Sequence, residues 1–266
     1  INVIGEGITL ACVQHNQLVE DGDMIATLKI IPYSVTEAVI KAVQMAAGDI
    51  AVVEFHPLTP RPFALIQTRI AGMNPAILAS TEKVTKQRLN QLECALVDSR
   101  DVPHESAAVT AAIQQARDNG AEAILVCGAS AISDRRDVVP DAVVRAGGTV
   151  DRVGLPADPG NLLMAARIGD MPVIGMPGCA RSPRLNGFDW VLHLVLAGIP
   201  LGDDEIADMA IGGLLMEIAS RPLPRRMVER RQPVGVEIAG VLLAAGLSSR
   251  MGDTNKLLVE IDGVPM

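Results

Sequence analysis

The sequence predicts a three-layer α/β/α domain, in which helices cover both faces of a central sheet, and three observations lead to this fold class. From Pro62 onward, short apolar segments alternate with amphipathic segments of helical period, the order that builds a largely parallel sheet. Apolar residues make up 49% of the 266 residues and aromatic residues only 2%, so aliphatic side chains must fill the core, as they do in parallel sheets. Small residues follow two of the apolar segments, where open α/β sheets bind ligands.

Composition and charge exclude several classes of function. The net charge of −8 argues against a nucleic-acid partner, which would need a basic face. No apolar run is long enough to span a bilayer, so a membrane role is not expected. None of the four cysteines forms a C-x-x-C pair, which disfavours a zinc site and a disulfide framework and indicates a reduced, cytoplasmic setting.

Residues 1–60 are predicted to form a small β-rich segment. The stretch Gln17–Pro32 has the pattern of two strands joined by a turn at Asp21–Asp23. A helix is predicted over Val35–Ala47, ended by Gly48. This segment carries no evident catalytic pattern, so a lid or docking module is the expected role.

The α/β domain is predicted over residues 61–220, as strands separated by helices. The predicted strands and helices of its first half are Phe63–Ile66, a helix capped by Ser80 or Thr81 and ending at Glu93, Cys94–Val97, and a helix over Glu105–Asn119. Further on, Leu162–Ile168 and Met171–Gly175 are predicted to form a hairpin around Gly169-Asp170. Asn186 is predicted to cap a helix to Ala197, and a last helix is predicted over Asp203–Ala219.

The most informative stretch of the chain is Ala123–Ala142. The apolar run Ile124–Val126 predicts a buried strand, and the small residues 127–131 that follow it allow a ligand to approach the backbone. The four charged residues 134–137 come next, and Pro140 favours the start of a helix. A strand, a small-residue turn, a charged loop and a helix start together predict a ligand crevice at the carboxyl end of the sheet.

Two motifs in this region resemble the molybdopterin-binding domain shared by molybdopterin adenylyltransferases and molybdopterin molybdenumtransferases. The first joins Gly128-Ala129-Ser130 to Arg136-Asp137-Val138-Val139-Pro140; the family usually has Gly-Gly-Thr-Gly and then Arg-Asp-Val-Thr-Pro. The second, Val173–Gly178, resembles the family's strand ending in Leu-Pro-Gly. The resemblance covers about Phe63–Gly198 and implies an α/β/α fold that binds molybdopterin.

The resemblance also implies a set of site residues. The implied molybdopterin-binding residues are Gly128, Ala129, Ser130, Arg136, Asp137, Pro177, Gly178, Arg181 and Ser182. Asp137 and Glu105 are the implied catalytic residues, and Asp137 is also the implied ligand of Mg²⁺. Without the resemblance, Asp137 is first interpreted as an acidic residue near a helix N-terminus, where the helix dipole stabilises it.

His104 departs from the family pattern. The adenylyltransferases have Pro-Asp-Glu where this chain has Pro103-His104-Glu105. A neutral imidazole does not replace a carboxylate as a magnesium ligand, so we expect adenylyl transfer from ATP to be weak or absent. From the residues alone, His104 could be a site residue or a solvent-exposed loop residue.

The C-terminal stretch Gly240–Leu257 resembles the opening motif of nucleotidyltransferases that act on the molybdenum cofactor and on sugar or alditol phosphates. It follows a Pro- and Arg-rich linker predicted at 221–236, and residues 237–266 are interpreted as the Rossmann-like start of such a domain, truncated at Met266. The residues implied to bind CTP or GTP are Ala244, Ala245, Gly246, Arg250 and Lys256. We expect the 266 residues alone to lack this transferase activity.

These observations favour a protein of molybdenum cofactor biosynthesis or modification that binds molybdopterin and, in the full-length protein, couples it to cytidylyl or guanylyl transfer. The alternatives are a non-catalytic molybdopterin-binding or delivery module, and a fusion to another sugar- or alditol-phosphate nucleotidyltransferase. A dinucleotide-binding Rossmann protein is disfavoured because no G-x-G-x-x-G opens a helix after a strand. The resemblance further suggests a homo-oligomer, with a molybdoenzyme or its chaperone as protein partner.

Overall fold

The structure is a computed structural model that describes residues 1–215, apart from Gly5 and residues 49–50, and the backbone of residues 260–261 and 264–265. The chain divides into two compact units, residues 1–217 and 218–266. In the second unit the described residues are the strands Glu260–Ile261 and Val264–Pro265, which pair antiparallel. The predicted linker and the predicted nucleotide-binding residues lie outside the described residues.

The N-terminal segment is a two-stranded ribbon followed by a helix. Strand β1 (Ile8–Cys12) pairs antiparallel with β2 (Ala26–Ile30), and α1 (Glu37–Ala47) ends at Gly48, as predicted. The prediction of two strands within Gln17–Pro32 was wrong. The Asp21-Gly22 turn exists, but β2 pairs with the earlier segment 8–12, because strand pairing depends on partners that a local pattern does not reveal.

A six-stranded mixed sheet forms the centre of the α/β domain, in the order β4-β3-β5-β8-β7-β6. Its strands are β3 Phe63–Arg69, β4 Leu96–Pro103, β5 Ala123–Cys127, β6 Thr149–Val153, β7 Met164–Ile168 and β8 Met171–Met176. Strands β4, β3, β5 and β8 run parallel, whereas β7 and β6 are antiparallel to their neighbours. The four parallel strands therefore bring their carboxyl ends to one edge of the sheet.

Helices cover both faces of this sheet, which confirms the predicted three-layer α/β/α fold. The helices are α2 Pro75–Gln91, α3 Ser106–Asp118, α4 Val138–Arg145, α5 Gly187–Ala197 and α6 Asp203–Asp208. One core cluster joins α2, α5 and α6 to one face, around Phe63, Leu125 and Phe188. The other joins α3 and α4 to the opposite face, around Ile113 and Ile124. Burial of each such side chain contributes roughly 1.5–3 kcal/mol to the stability of the folded domain.

Several predicted boundaries were wrong. Helix α2 begins at Pro75, capped by Asn74, instead of after Ser80 or Thr81, because the Asn-Pro start is a cap and first-turn pair. Strand β4 begins two residues later than predicted and extends to Pro103. Exposed and half-buried residues alternate along this edge strand, and the residues over 98–101 are polar, so its full length leaves no apolar run in the sequence. Edge strand β6 was not predicted at all. Helix α6 ends at Asp208, well short of Ala219, and Gly212 has a left-handed φ of 92°.

Within the described residues we find no helix with the length and apolar character that crossing a bilayer requires. All four cysteines are free thiols.

Candidate functional site

The predicted site residues lie at the carboxyl ends of the parallel strands. Strands β3 and β8 lead to α2 and α5 on one face, whereas β5, which lies between them, leads to α4 on the other. Connections from neighbouring strands that depart to opposite faces leave a crevice at the strand ends. Strand β4, next to β3, likewise leads to α3 on the opposite face, so the structure has three adjoining switch points: between β4 and β3, between β3 and β5, and between β5 and β8.

The loop after β5 is held against the end of β3. The Ala129 backbone N–H donates to Thr68 Oγ1 at 2.6 Å, and Thr68 is fully buried. A Cβ at Gly128 would lie 2.6 Å from the Ser130 carbonyl oxygen, so the tight turn needs glycine there. Ser130 itself is exposed at the rim of the crevice.

His104 bridges the loop after β4 to the loop after β5. Its Nδ1 lies 2.8 Å from Thr68 Oγ1, and its Nε2 lies 2.9 Å from Ser130 Oγ. Its backbone N–H donates to the Arg69 carbonyl at 2.9 Å. His104 is thus half-buried and bonded at both ring nitrogens, which favours the site residue over the solvent-exposed loop residue.

The loop after β8 meets the loop after β5 through Arg181. Met176 leads through buried Pro177 into a 3₁₀ turn, Gly178–Arg181. Arg181 donates from Nη2 to the Gly128 carbonyl at 2.8 Å and from Nη1 to Thr81 Oγ1 of α2 at 3.1 Å. The loops after β5 and β8 are therefore adjacent, as predicted. A Cβ added at Gly178 would have no atom within 4 Å, so this turn offers open space to a ligand.

A buried arginine that the sequence analysis missed supports this turn from below. Arg88 of α2 forms an ion pair with Asp189, from Nε to Oδ1 at 2.7 Å, and only 7% of its side chain is exposed. Its other nitrogens donate to the carbonyls of Ala180 at 2.7 Å, Ser182 at 2.5 Å and Arg184 at 3.0 Å. The sequence signal that could have identified Arg88 as buried is its position on the apolar face of α2, four residues after Val84 and next to Leu89.

Ser182, a predicted molybdopterin ligand, is half-buried beside this network. Its backbone N–H donates to the Cys179 carbonyl at 3.0 Å, and its Oγ accepts from the Arg184 N–H at 3.4 Å. The neighbouring Cys179 is a half-buried thiol whose pKa is raised by burial, so it is a poor nucleophile.

The charged residues after Ser130 bond mainly within their own loop. Asp137 Oδ2 accepts from the N–H groups of Ser133 at 2.7 Å and Asp134 at 2.9 Å, and these bonds lower the pKa of the Asp137 carboxyl. Asp134 pairs with Arg136 at 2.8 Å, and the Arg136 side-chain hydrogen bond lowers the pKa of Asp134 to about 2. Both Asp134 and Arg136 are exposed, and Asp137 is half-buried at the N-cap position of α4.

The two residues predicted to serve catalysis, Glu105 and Asp137, each lie at the N-cap position of a helix. Glu105 is exposed at the N-cap position of α3, without a capping hydrogen bond from its side chain. No group of three or more His, Cys, Asp or Glu able to hold a metal occurs in the described ranges. Mg²⁺ prefers several hard oxygen ligands, and Asp137 already accepts from its own loop. The Mg²⁺ role of Asp137 stays a prediction.

Two cavities of the described unit lie elsewhere. The first, of about 680 Å³, is lined by residues 12–19 and 51–58 and by the end of α5 around His193. Burial lowers the pKa of His193, although Asp189 opposes this effect. The second, of about 550 Å³, lies between the end of β3, α2 and β4. Neither is lined by Ser130 or Arg181, so both cavities are distinct from the crevice between the two loops.

No protein-family model and no curated protein matches the chain. Among solved structures, it is similar to the molybdopterin biosynthesis MoeA protein from Pyrococcus horikosii, with 18% identity, a TM-score of 0.41, and coverage of 52% of this chain and 35% of that one. The tungsten cofactor synthesizing protein MoaB from Pyrococcus furiosus is 15% identical, with a TM-score of 0.35 and coverage of 58% and 97%. The Mog protein of molybdopterin biosynthesis from Mycobacterium ulcerans is 19% identical, with a TM-score of 0.35 and coverage of 59% and 99%. Because these identities and TM-scores are low, the likenesses carry no conclusion about function.

Proposed function

We propose that the α/β domain binds molybdopterin between the loop after β5 and the loop after β8. The observation that carries this proposal is the Arg181 guanidinium, which joins the two loops by its bond to the Gly128 carbonyl and is held to α2 by its bond to Thr81. These bonds hold the cation at the crevice, and a guanidinium has further N–H donors for an anion. The pterin phosphate supplies the matching negative charge.

The neutral groups around Arg181 suit the rest of such a ligand. Ser130 presents an exposed hydroxyl, and the open space at Gly178 lets a flat ring approach the backbone. The chain carries a net charge of −8, so a local cation is what attracts an anionic ligand here. Arg136 and Asp137 lie on the loop that continues from Ser130, and we retain them as contacts of the ligand's edge.

Binding without adenylyl transfer is the version that the residues favour. Phosphoryl-type transfer needs positive charge, usually Mg²⁺, at the transferred phosphate. Where a carboxylate would help to hold that ion, His104 occupies the position and is bonded to Thr68 and Ser130. Asp137 and Glu105 stay our candidates for any catalytic step. Measurement of ATP-dependent product formation by the Asp137→Asn variant tests the role of Asp137.

Calorimetric titration with molybdopterin tests the proposal. Arg181→Met should weaken binding by about 10- to 100-fold, the range for losing hydrogen bonds from a charged group. Arg184→Met is the matched control, because the Arg184 side chain is exposed on the same loop. Arg184 accepts from Arg88 with its backbone carbonyl, and the substitution keeps that carbonyl. An unmodified chain that does not bind molybdopterin, or equal affinities for Arg181→Met and Arg184→Met, would contradict the proposal.

We also propose that, in the full-length protein, the stretch 240–257 binds the triphosphate of CTP or GTP and couples this domain to nucleotidyl transfer onto the cofactor. Its support is the sequence motif, with Arg250 and Lys256 as phosphate-binding cations. Lys256→Ala should weaken CTP or GTP binding about tenfold, measured by equilibrium dialysis. Equal nucleotide affinity with and without Lys256 would overturn this role and leave the binding-module alternative.

A further inference from the structure

We propose that Thr68 and His104 form a relay that turns the Ser130 hydroxyl outward as a hydrogen-bond donor to the ligand. In this relay Thr68 and His104 are positioning residues, and Ser130 is the residue that contacts the ligand. The proposal rests on the molybdopterin site proposed above and names the polarity of one of its contacts.

Three side chains from three different strand ends form a continuous line of contacts. Thr68 is the penultimate residue of β3, His104 follows β4, and Ser130 lies in the loop after β5. The Thr68 Oγ1 to His104 Nδ1 distance is 2.8 Å, and the His104 Nε2 to Ser130 Oγ distance is 2.9 Å. Both lie in the range of good hydrogen bonds. The direction in which each bond donates therefore decides what Ser130 can do.

The buried Thr68 hydroxyl fixes the tautomer of His104. Thr68 Oγ1 already accepts the Ala129 N–H at 2.6 Å, and Thr68 is fully buried. Its single hydroxyl hydrogen needs an acceptor, and His104 Nδ1 is in place to accept it. If Nδ1 carried the proton, Thr68 would accept twice and its hydroxyl hydrogen would lose that acceptor in a buried setting, which is costly. The neutral imidazole therefore carries its proton on Nε2.

The same tautomer sets the direction at Ser130. The Nε2–H donates to Ser130 Oγ, so the serine hydroxyl hydrogen is not used by His104. Ser130 is exposed, and its hydroxyl hydrogen is available to an acceptor such as a phosphate or pterin oxygen. A serine activated as a nucleophile needs the opposite arrangement, with an unprotonated Nε2 that accepts its proton. The relay is therefore built for binding an acceptor and not for acyl or phosphoryl transfer to Ser130.

Nitrogen-15 NMR of the histidine side chains tests the relay without any ligand. Spectra are recorded at about pH 8.5, well above the ordinary titration range of imidazoles. The four histidines of the chain are distinguished by the signals that disappear in His104→Gln. We expect the Nε2–H tautomer for His104, retained in Thr68→Ser and reduced in Thr68→Val. A predominant Nδ1–H tautomer in the unmodified protein would overturn the relay.

Titration with molybdopterin tests the consequence for binding. His104→Gln keeps an N–H donor toward Ser130, whereas His104→Glu, a side chain of the same length, places an acceptor there, which turns the serine hydroxyl inward. We expect affinity close to that of the unmodified protein for His104→Gln and at least about tenfold weaker binding for His104→Glu and Ser130→Ala. Equal weakening by His104→Gln and His104→Glu would overturn the donor assignment. Absence of molybdopterin binding by the unmodified protein would overturn the proposed function and the role of Ser130 toward that ligand, while the tautomer is decided by NMR alone.

Discussion

At the scale of single residues, Asp137 and Asp134 differ in what their charge stabilises. Asp137 accepts two backbone N–H bonds and also the Ser133 hydroxyl at 3.3 Å, so its carboxylate fixes the shape of the loop that leads from Ser130 into α4. Asp134 has a strongly lowered pKa, but it pairs with an exposed arginine. Exposed ion pairs of this kind contribute little to stability.

We predict that Asp137→Asn lowers the thermal midpoint at neutral pH by about 2–4 °C. Because the pKa of Asp137 is lowered on folding, its carboxylate stabilises the protein above the ordinary pKa of 3.8, and this contribution is lost as the pH falls through the folded value. The difference between the variant and the unmodified protein should therefore shrink on acidification below about pH 4. Thermal unfolding followed by circular dichroism across this range measures it.

Asp134→Asn is the control for this prediction, and its midpoint should change by less than that of Asp137→Asn despite the larger pKa shift of Asp134. A midpoint for Asp137→Asn equal to that of the unmodified protein at neutral pH would show that the loop does not depend on this carboxylate.

At the scale of secondary-structure elements, Arg88 connects α2 to the segment between β8 and α5. Its guanidinium bonds to Asp189 and to three backbone carbonyls, and it lies 5.8 Å from the centre of the Phe188 ring. Asp189 also accepts the Asn186 N–H at 2.8 Å and so closes the capping box of α5. One buried cation thereby fixes both the turn that carries Arg181 and the start of the next helix.

We predict that Arg88→Met destabilises the protein by about 3–5 kcal/mol, because it leaves the Asp189 carboxylate buried without its cation. The three carbonyls would lose a donor as well. Urea unfolding measures the change, and Lys86→Met is the matched control, since Lys86 is exposed on the same helix. A change of equal size in both variants would mean that the Arg88 network does not stabilise the fold.

Two elements with local signals were predicted well, although the Asn74-Pro75 start of α2 was missed, and elements that depend on distant partners were not predicted. The capping box Asn186–Asp189 and the hairpin around Gly169-Asp170 are local, and both are present in the structure. Strand β6 was missed because a short edge strand with Asp151 and Arg152 has little apolar pattern. In the site, the two small-residue loops could be predicted to meet, whereas the contacts of His104 with residues 36 and 26 positions away could not.

At the scale of the whole molecule, the parallel part of the sheet determines where the proposed site lies. Four strands with different connections end at one edge, and each contributes a residue to the crevice: Thr68, His104, Ser130 and Arg181. The larger cavity of about 680 Å³ lies on the N-terminal segment and the end of α5 instead. We propose that molybdopterin binds at the strand ends and not in that cavity.

Hydrogen–deuterium exchange with and without molybdopterin tests this claim most directly, because it reports on both places in one experiment. We predict that saturating molybdopterin slows exchange of the amides in residues 128–134 and 177–182, while residues 12–19 and 51–58 exchange at unchanged rates. Slowed exchange confined to residues 12–19 and 51–58, with residues 128–134 and 177–182 unchanged, would contradict the account.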